Sequence, residues 1–516
     1  MDSLDLEKSD PNQTFEGKVL DNSYDGEGKV PVDAMVEVDV EPQTGIRGWL
    51  RKIFTVVELR GIERVMPEDR QPKGVMNNLL MWWSVNCVLT TVPIGTLGPA
   101  VFGMGLRDTI LSIIGFTILG CFTTAFCATL GPKLGLRQMV ISRFSFGWWG
   151  AVVLSFLNII TQIGFSIIAV ILGGQTLVYV CGSKLPLTVA IIIVSVVTLL
   201  ICFFGYDLVH KWERYAWILI ACIMCVLYGT GHEYFSWTPS TSSGSTLAGS
   251  VLSFGGVVFG SVIGWAPIAA DYNVMLPEDT SSWKVFWLTF FGLFIPLVFV
   301  ETLGALYGSA LINNAAWNDI YNNPEAGLGS VLGASLSSLG GFGKFLVFLL
   351  ALSVVSNNVP NTYSAALSIQ TLGKPFQRIP RFLWTIFVAV VYTVAGVAGK
   401  SNFSDILNNF LSILSYWTTP FVVVLALEHF VFRRRTGYNV DDYGDRTKLP
   451  WGLAAGTAGI IGVVGAVIGM NQTWYVGPVG KLTGPYGGDL GFEMALVLTS
   501  ISYLALRTWE LNHVGR

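Results

Sequence analysis

The sequence predicts an all-α integral membrane protein: twelve transmembrane helices, arranged as two five-helix units of opposite topology with two further helices after them. Three observations carry this. Of 516 residues, 52% are apolar and only 13% charged, whereas soluble domains carry about 25% charged residues. From Asn77 to Tyr503 long apolar stretches alternate with short polar joints, and the mean hydropathy of the whole chain is +0.57. Two of those stretches, five apart in order, are interrupted by glycine and proline: Thr91-Val-Pro-Ile-Gly-Thr-Leu-Gly-Pro99, and Gly255-Gly256 through Gly264-Trp-Ala-Pro267.

Taken in order, residues 1–75 form a polar, acidic tail expected to lie in the cytoplasm and to be largely disordered, at least from Met1 to Glu41. It has no apolar core of a cleavable signal peptide. Within it, Lys52 to Arg60 alternates charged and apolar residues, which fits either a segment along the cytoplasmic face or a solvated tail. A hydrocarbon core about 30 Å thick needs about 20 helical residues. On that scale the spans fall at 76–103, 108–130, 148–180, 187–205, 215–233, 250–275, 285–312, 342–371, 382–398, 404–431, 451–470 and 489–508. Residues 76–431 are thus a ten-helix core, 432–450 a cytoplasmic linker, 451–508 the two additional helices and 509–516 a cytoplasmic tail. Alternate joints differ in charge: of 31 Lys and Arg, all but Arg107, Lys184, Lys344, Lys400 and Lys481 fall on the side shared by both tails, so both termini are expected in the cytoplasm. The joints 235–246 and 313–330 hold no Lys or Arg and read as extracytoplasmic, as do the N-glycan patterns at Asn402 and Asn471. A net charge of −3 with basic residues spread over joints gives no reason to expect nucleic acid. Seven cysteines lie in or beside apolar spans, and Cys222-Ile-Met-Cys225 lacks the second ligand pair of a metal site.

An interrupted span frees backbone groups that lipid cannot satisfy, so it survives only inside protein or beside a wet cavity. Matched interruptions in two halves point to a transporter's binding site. Near the first lie Ser84 and Asn86. Beside the second, Trp265 adjoins Gly264 at mid-span, placed to stack on a flat ring. The eighth span carries Ser356-Asn-Asn-Val-Pro-Asn-Thr362 within apolar sequence. Asparagine amides suit the edge of a planar heterocycle, and Pro360 frees a carbonyl one turn earlier, near Ser356. Hydrogen bonding between helices is the alternative use of the same amides. Of the ionisable residues within spans, Glu301 is the candidate proton relay, while Asp271 lies near the cytoplasmic end, suited to capping or pairing. His210, Lys211, Glu213 and Arg214 sit in a cytoplasmic joint and read as solvated or paired. No nucleophile-base set, His-rich metal pattern or phosphate-binding glycine loop is present in the sequence, so neither an enzyme nor a cofactor is expected.

Gly61-Ile-Glu-Arg-Val65, Met81-Trp-Trp-Ser-Val-Asn86, Gly264-Trp-Ala-Pro-Ile-Ala-Ala-Asp-Tyr272 and Ser356-Asn-Asn-Val-Pro-Asn361 resemble the fungal purine-cytosine permeases of the nucleobase-cation-symport-1 family, from about Glu58 to Thr508. The resemblance implies a LeuT-like five-plus-five inverted repeat and plasma-membrane uptake of cytosine and purines such as adenine, guanine and hypoxanthine with a co-transported proton. It implies a site between the first, third, sixth and eighth spans, with Ser84, Trp265, Asn357, Asn358, Pro360 and Asn361 at the family's binding or shaping positions. One departure stands out. Where the family's third span resembles Gly-Trp followed four residues later by Asn, this chain has Gly164-Phe165 and Ala169, while Gln175 matches. Phe165 can still stack, but Ala169 offers no hydrogen bond.

The expected function is therefore a secondary active importer in which a heteroaromatic ring stacks between Phe165 and Trp265. A relative that imports another heteroaromatic nutrient, such as pyridoxine, and a non-transporting nutrient sensor are the alternatives. The short tail after Arg507 favours transport over sensing.

Overall fold

The computed structural model describes residues 62–70, 75–182, 184–204 and 206–515, with 204 and 206–214 described by backbone alone. The expectations for the tail before Ile62, for Lys52 to Arg60, and for the side chains of His210, Lys211, Glu213 and Arg214 fall outside these residues. Helix occupies each of the twelve stretches: α1 (Met76–Asn86) with α2 (Val92–Ala100), α3 (Leu106–Leu134), α5 (Arg143–Val180), α6 (Leu187–Phe204), α7 (Tyr206–Gly231), α8 (Gly244–Ile263) with a 3₁₀ turn (Ala266–Tyr272), α9 (Ser282–Asn313), α12 (Gly340–Thr371), α14 (Arg381–Gly399), α15 (Phe403–Leu427), α16 (Leu453–Gly469) and α17 (Gly491–His513). Short helices stand between them: α4 (Gln138–Ile141), α10 (Ala315–Asn322), α11 (Gly327–Ser335) and α13 (Lys374–Gln377). Among the described residues, seven helical stretches are long and apolar enough to cross a membrane, eight when the bent α1–α2 pair is one span; Leu187–Phe203 and Leu453–Gly469 are shorter apolar helices. The stretch Arg381–Phe432 contains both α14 and α15.

The repeat is visible in which helices pack together. α2 lies on α9 as the 3₁₀ turn lies on α3, and α1 meets α7 as α8 meets α15. α5 packs on α6 as α12 does on α14, and α5 on α14 as α12 on α6. Each pair maps onto the other when the first five spans exchange with the second five. α16 and α17 pack together against α15, outside this symmetric core.

The first interruption lies just ahead of the glycine- and proline-bearing stretch Thr91–Pro99, whereas the second falls within its expected stretch, at the Gly264-Trp265 end. The first is at Cys87-Val88, where a 3₁₀ turn (Leu89–Thr91) joins α1 to α2 with a 62° bend. Thr91 to Pro99 is mostly helix, because Pro93 occupies the first turn, where its missing N–H costs nothing. The glycines serve close packing instead. A Cβ on Gly95 would stand 1.8 Å from the Glu301 carbonyl oxygen, and one on Gly304 1.9 Å from that of Val92. The second break is likewise confined to Gly264-Trp265: α8 runs unbroken through Gly255, Gly256 and Gly260, and Pro267 opens the following 3₁₀ turn. At Gly260 a Cβ would meet the Leu411 carbonyl oxygen at 2.0 Å, so this glycine admits α15.

Candidate functional site

At the first break the backbone groups that lose helical partners are taken up by α12. Ser353 Oγ accepts from Leu89 N at 3.3 Å, and Asn357 donates through Nδ2 to the Val85 carbonyl at 2.7 Å. Asn357 Oδ1 accepts from Thr90 Oγ1 at 3.3 Å, and Thr91 Oγ1 donates to the Asn86 carbonyl at 2.9 Å. Left in lipid, each of these groups would cost several kcal/mol. Asn86 turns back onto the Trp82 carbonyl at 2.8 Å, so its amide stays within its own helix. Ser84 is buried in the same turn. At the second break the chain tightens rather than parts: Trp265 N reaches the Val262 carbonyl at 3.2 Å, and Thr124 Oγ1 donates to that same carbonyl at 2.9 Å.

Between the breaks the aromatic rings converge. Phe165 and Trp265 face one another with centroids 6.2 Å apart and planes 15° from parallel. Trp82 stands near-perpendicular to Trp265, with centroids 5.7 Å apart. A flat ligand between Phe165 and Trp265 needs about 7 Å, twice the ~3.5 Å contact distance, so the pair must part by roughly 1 Å to admit one. Phe410 on α15 stands edge-on to Phe165 at 5.1 Å, and Leu414 one turn later abuts Gly264. Sequence reasoning missed both, and Ser353 as well. The signal lay in Gly164, Gly260 and Gly264, whose absent side chains make room for Phe410, Leu411 and Leu414.

The three asparagines of α12 separate by helical position. α5 and α12 are antiparallel, with their register fixed at both ends: Asn158 Nδ2 donates to Ser368 Oγ at 2.8 Å, and a Cβ on Gly173 would touch Val354 at 3.3 Å. Counting inward sets Ala169 level with Asn357 and Phe165 level with Asn361. Asn357 is occupied by the first break. Asn358 is fully buried and neighbours the Tyr392 hydroxyl on α14, though neither group reaches hydrogen-bonding geometry. Asn361, 1% exposed, has no partner for either amide atom among the described residues. Pro360 sits inside α12, which continues through it to Thr371, and Thr362 Oγ1 donates to the Asn358 carbonyl at 2.9 Å.

Glu301 on α9 lies between the two broken spans. Its backbone abuts Gly95 of α2, and its Oε1 is 3.5 Å from Ser261 Oγ of α8, while Oε2 has no partner among the described residues. Asp271 does a different job: its Oδ1 accepts from Gln138 N at 2.6 Å and caps α4. Gln175, ten residues beyond Phe165, accepts from Gly329 N at 3.2 Å and anchors α11 rather than joining the aromatic pair.

A sequence profile describing permeases for cytosine and purines, uracil, thiamine and allantoin matches residues 65–488. The chain belongs to this permease family. The permease is 40% identical to purine-cytosine permease fcyB of Emericella nidulans over 515 residues, covering 99% of each chain. It is 37% identical to purine-cytosine permease FCY21 of Saccharomyces cerevisiae, covering 89% of this chain and 88% of that one. It is 32% identical to the vitamin B6 transporter TPN1 of the same yeast, covering 91% and 90%. In fold the permease is similar to Mhp1, a nucleobase-cation-symport-1 transporter solved closed with bromovinylhydantoin bound: TM-score 0.65 at 15% identity, covering 88% of this chain and 96% of that one. The inward-facing form of Mhp1 gives a TM-score of 0.67 at 14% identity, covering 88% and 95%. The permease is thus a multi-pass membrane transporter with the inverted-repeat fold expected from its sequence, and its family is one of carriers rather than enzymes.

Proposed function

We propose that this permease is a secondary active importer of nucleobases, cytosine and purines such as adenine, guanine and hypoxanthine, driven by proton symport and alternating access. It works in the plasma membrane with both termini in the cytoplasm. The observation that carries this reading is the near-parallel Phe165–Trp265 pair, 6.2 Å apart, with the unclaimed Asn361 amide at the level of Phe165. A planar base stacks between the rings, which must part to receive it, and Asn361 reads its polar edge with one donor and one acceptor. Ser84 adds a hydroxyl. Asn357 shapes the site by holding the first break, and Asn358 and Pro360 act within α12 rather than on the ring. Glu301 holds the proton. A buried carboxylate without a counter-charge is expensive, and this one touches both broken spans, so its charge state is felt where the helices move. A charge moved inward gains about 2.3 kcal/mol per 100 mV.

The test is uptake of labelled cytosine and adenine by permease-deficient cells expressing this chain, with and without an uncoupler. Accumulation that the uncoupler abolishes supports the reading; entry of neither base ends it. Binding without accumulation makes the chain a sensor.

One observation favours a second substrate class. Ala169 stands level with Asn357 but offers no hydrogen bond, and a vitamin B6 transporter is among the relatives. Competition by nucleobases, nucleosides and B6 vitamers against labelled cytosine, repeated after Ala169→Asn, separates the two. Import of pyridoxine in preference to cytosine, with the preference reversed by Ala169→Asn, establishes the second reading.

A further inference from the structure

A cavity of about 570 Å³ opens on the face of the basic joints, between the end of α3 and the π-helical turn (Glu428–Phe432) that follows α15. Four basic side chains line it, Lys133, His429, Arg433 and Arg434, and among the described residues no carboxylate does. Their states differ in a way that matters. Arg433 is held in place: its Nε donates to buried Glu428 Oε1 at 2.8 Å and its Nη2 to the Phe144 carbonyl at 3.0 Å, which leaves Nη1 without a bond among the described residues. Tyr438 stacks on His429 at 5.8 Å with planes 18° apart, and its hydroxyl lies 3.3 Å from His429 Nδ1. Lys133 and Arg434 form no ion pair among the described residues. Two fixed groups and two unpaired cations therefore surround one hollow.

The surface beside the cavity is apolar. Phe430 is 58% exposed and Val431 51%, and Phe430 is braced by Phe126 at 5.1 Å. Both close the stretch Arg381–Phe432, which is long and apolar enough to cross a membrane, so apolar surface and cations lie side by side at its end. A basic pocket at the cytoplasmic end of transmembrane helices is suited to polyanionic phospholipid headgroups, and arginine suits phosphate oxygens through its planar fork of donors.

We propose that this cavity binds the phosphorylated headgroup of an anionic membrane lipid. Lys133, Arg434 and the free Nη1 of Arg433 contact the phosphates, and the acyl chains lie over Phe430 and Val431. A free phosphate compound shares the headgroup chemistry but gains nothing from the apolar surface, which is why the lipid is the occupant.

The experiment uses the full chain in detergent. Binding of short-chain phosphatidylinositol 4,5-bisphosphate is compared with short-chain phosphatidylcholine and with soluble inositol trisphosphate. Three proteins are measured: the unaltered chain, Lys133→Gln/Arg434→Gln, and Arg378→Gln, which removes an exposed cation outside the cavity. Lys133, Arg434 and Arg378 are all exposed, and a thermal unfolding midpoint equal in all three proteins shows that folding is unaffected. The expected result is preference for the bisphosphate lipid, weakened at least about ten-fold by the double variant and less than about two-fold by Arg378→Gln. Equal weakening by both variants, or no preference over phosphatidylcholine, overturns the site. Inositol trisphosphate binding as tightly as the lipid overturns the lipid assignment.

Discussion

Asn357 donates its side-chain amide to the Val85 carbonyl at 2.7 Å, across the point where the first span breaks. With Ser353 it makes α12 the partner of that break, so the polar eighth span and the interrupted first span are one structural unit. Asn357→Ala leaves the Val85 carbonyl and the Thr90 hydroxyl unpaired in a buried setting, at a cost of about 1–3 kcal/mol. Thermal unfolding of the purified protein should fall accordingly, and uptake should be lost. Ser353→Ala removes one acceptor and should cost about 1 kcal/mol.

The contact of α2 with α9 permits no side chain at Gly95 or Gly304. Gly95→Ala places a methyl on the Glu301 carbonyl and must force the helices apart, costing about 3 kcal/mol, the upper end of overpacking. Gly115→Ala is the control, since a Cβ there meets nothing within 4 Å. It should leave stability unchanged or raise it slightly, as alanine is the better helix former. The readout is the unfolding midpoint of each variant.

Element types and their order were legible because apolar length and charge alternation depend on local composition alone. The positions of the breaks were legible only in part: the second falls at the end of the stretch Gly255 to Pro267, the first just ahead of Thr91. Glycine at Gly95, Gly255 and Gly260 marks close approach by a neighbouring helix, and Pro93 starts a helix rather than ending one; a single sequence does not separate these uses from unwinding. The asparagine cluster was visible as a cost in apolar surroundings, but which neighbour each amide meets depends on the register of α12 against α5. Phe410 was hidden for a simpler reason: an aromatic residue in an apolar span looks like packing until the helix opposite it is known.

Phe165 contributes a ring face rather than a hydrogen bond. Phe165→Leu keeps an apolar side chain of similar volume but removes the stacking partner of Trp265, worth about 0.5–1.5 kcal/mol beyond buried area. On the proposed function, KM for cytosine or adenine uptake should rise roughly two- to ten-fold with little change in maximal rate. Initial-rate uptake across a range of substrate concentrations checks this.

Glu325, between α10 and α11, accepts from Lys400 and, at 3.0 Å, from Leu187 N; the Lys400 bond chiefly holds its carboxyl below the ordinary value. A depressed carboxylate contributes stability above its unfolded pKa, about 4.3, and loses it as pH falls through the folded value. The side chain is 51% exposed, so the contribution is about 0–1 kcal/mol after solvent screening. The difference in unfolding midpoint between the unaltered chain and Glu325→Gln should stay constant from about pH 8 to about pH 5.5, shrink as pH falls below about 4.3, and vanish once pH has passed below the depressed folded value.

Glu301 offers the sharpest test of the proposed coupling because it bridges the two broken spans. Its carboxylate faces Ser261 on α8 at 3.5 Å, and its backbone packs on Gly95 of α2. Glu301→Gln keeps the shape and the contact with Ser261 but cannot take up or release a proton. Such a variant should bind the base with near-normal affinity, since Phe165, Trp265 and Asn361 are unaltered. It should exchange labelled base across the membrane but lose accumulation above the external concentration, and an uncoupler should then have no effect. Accumulation that persists in Glu301→Gln and remains uncoupler-sensitive would place the coupling group elsewhere, while loss of binding would assign Glu301 to the shape of the site instead.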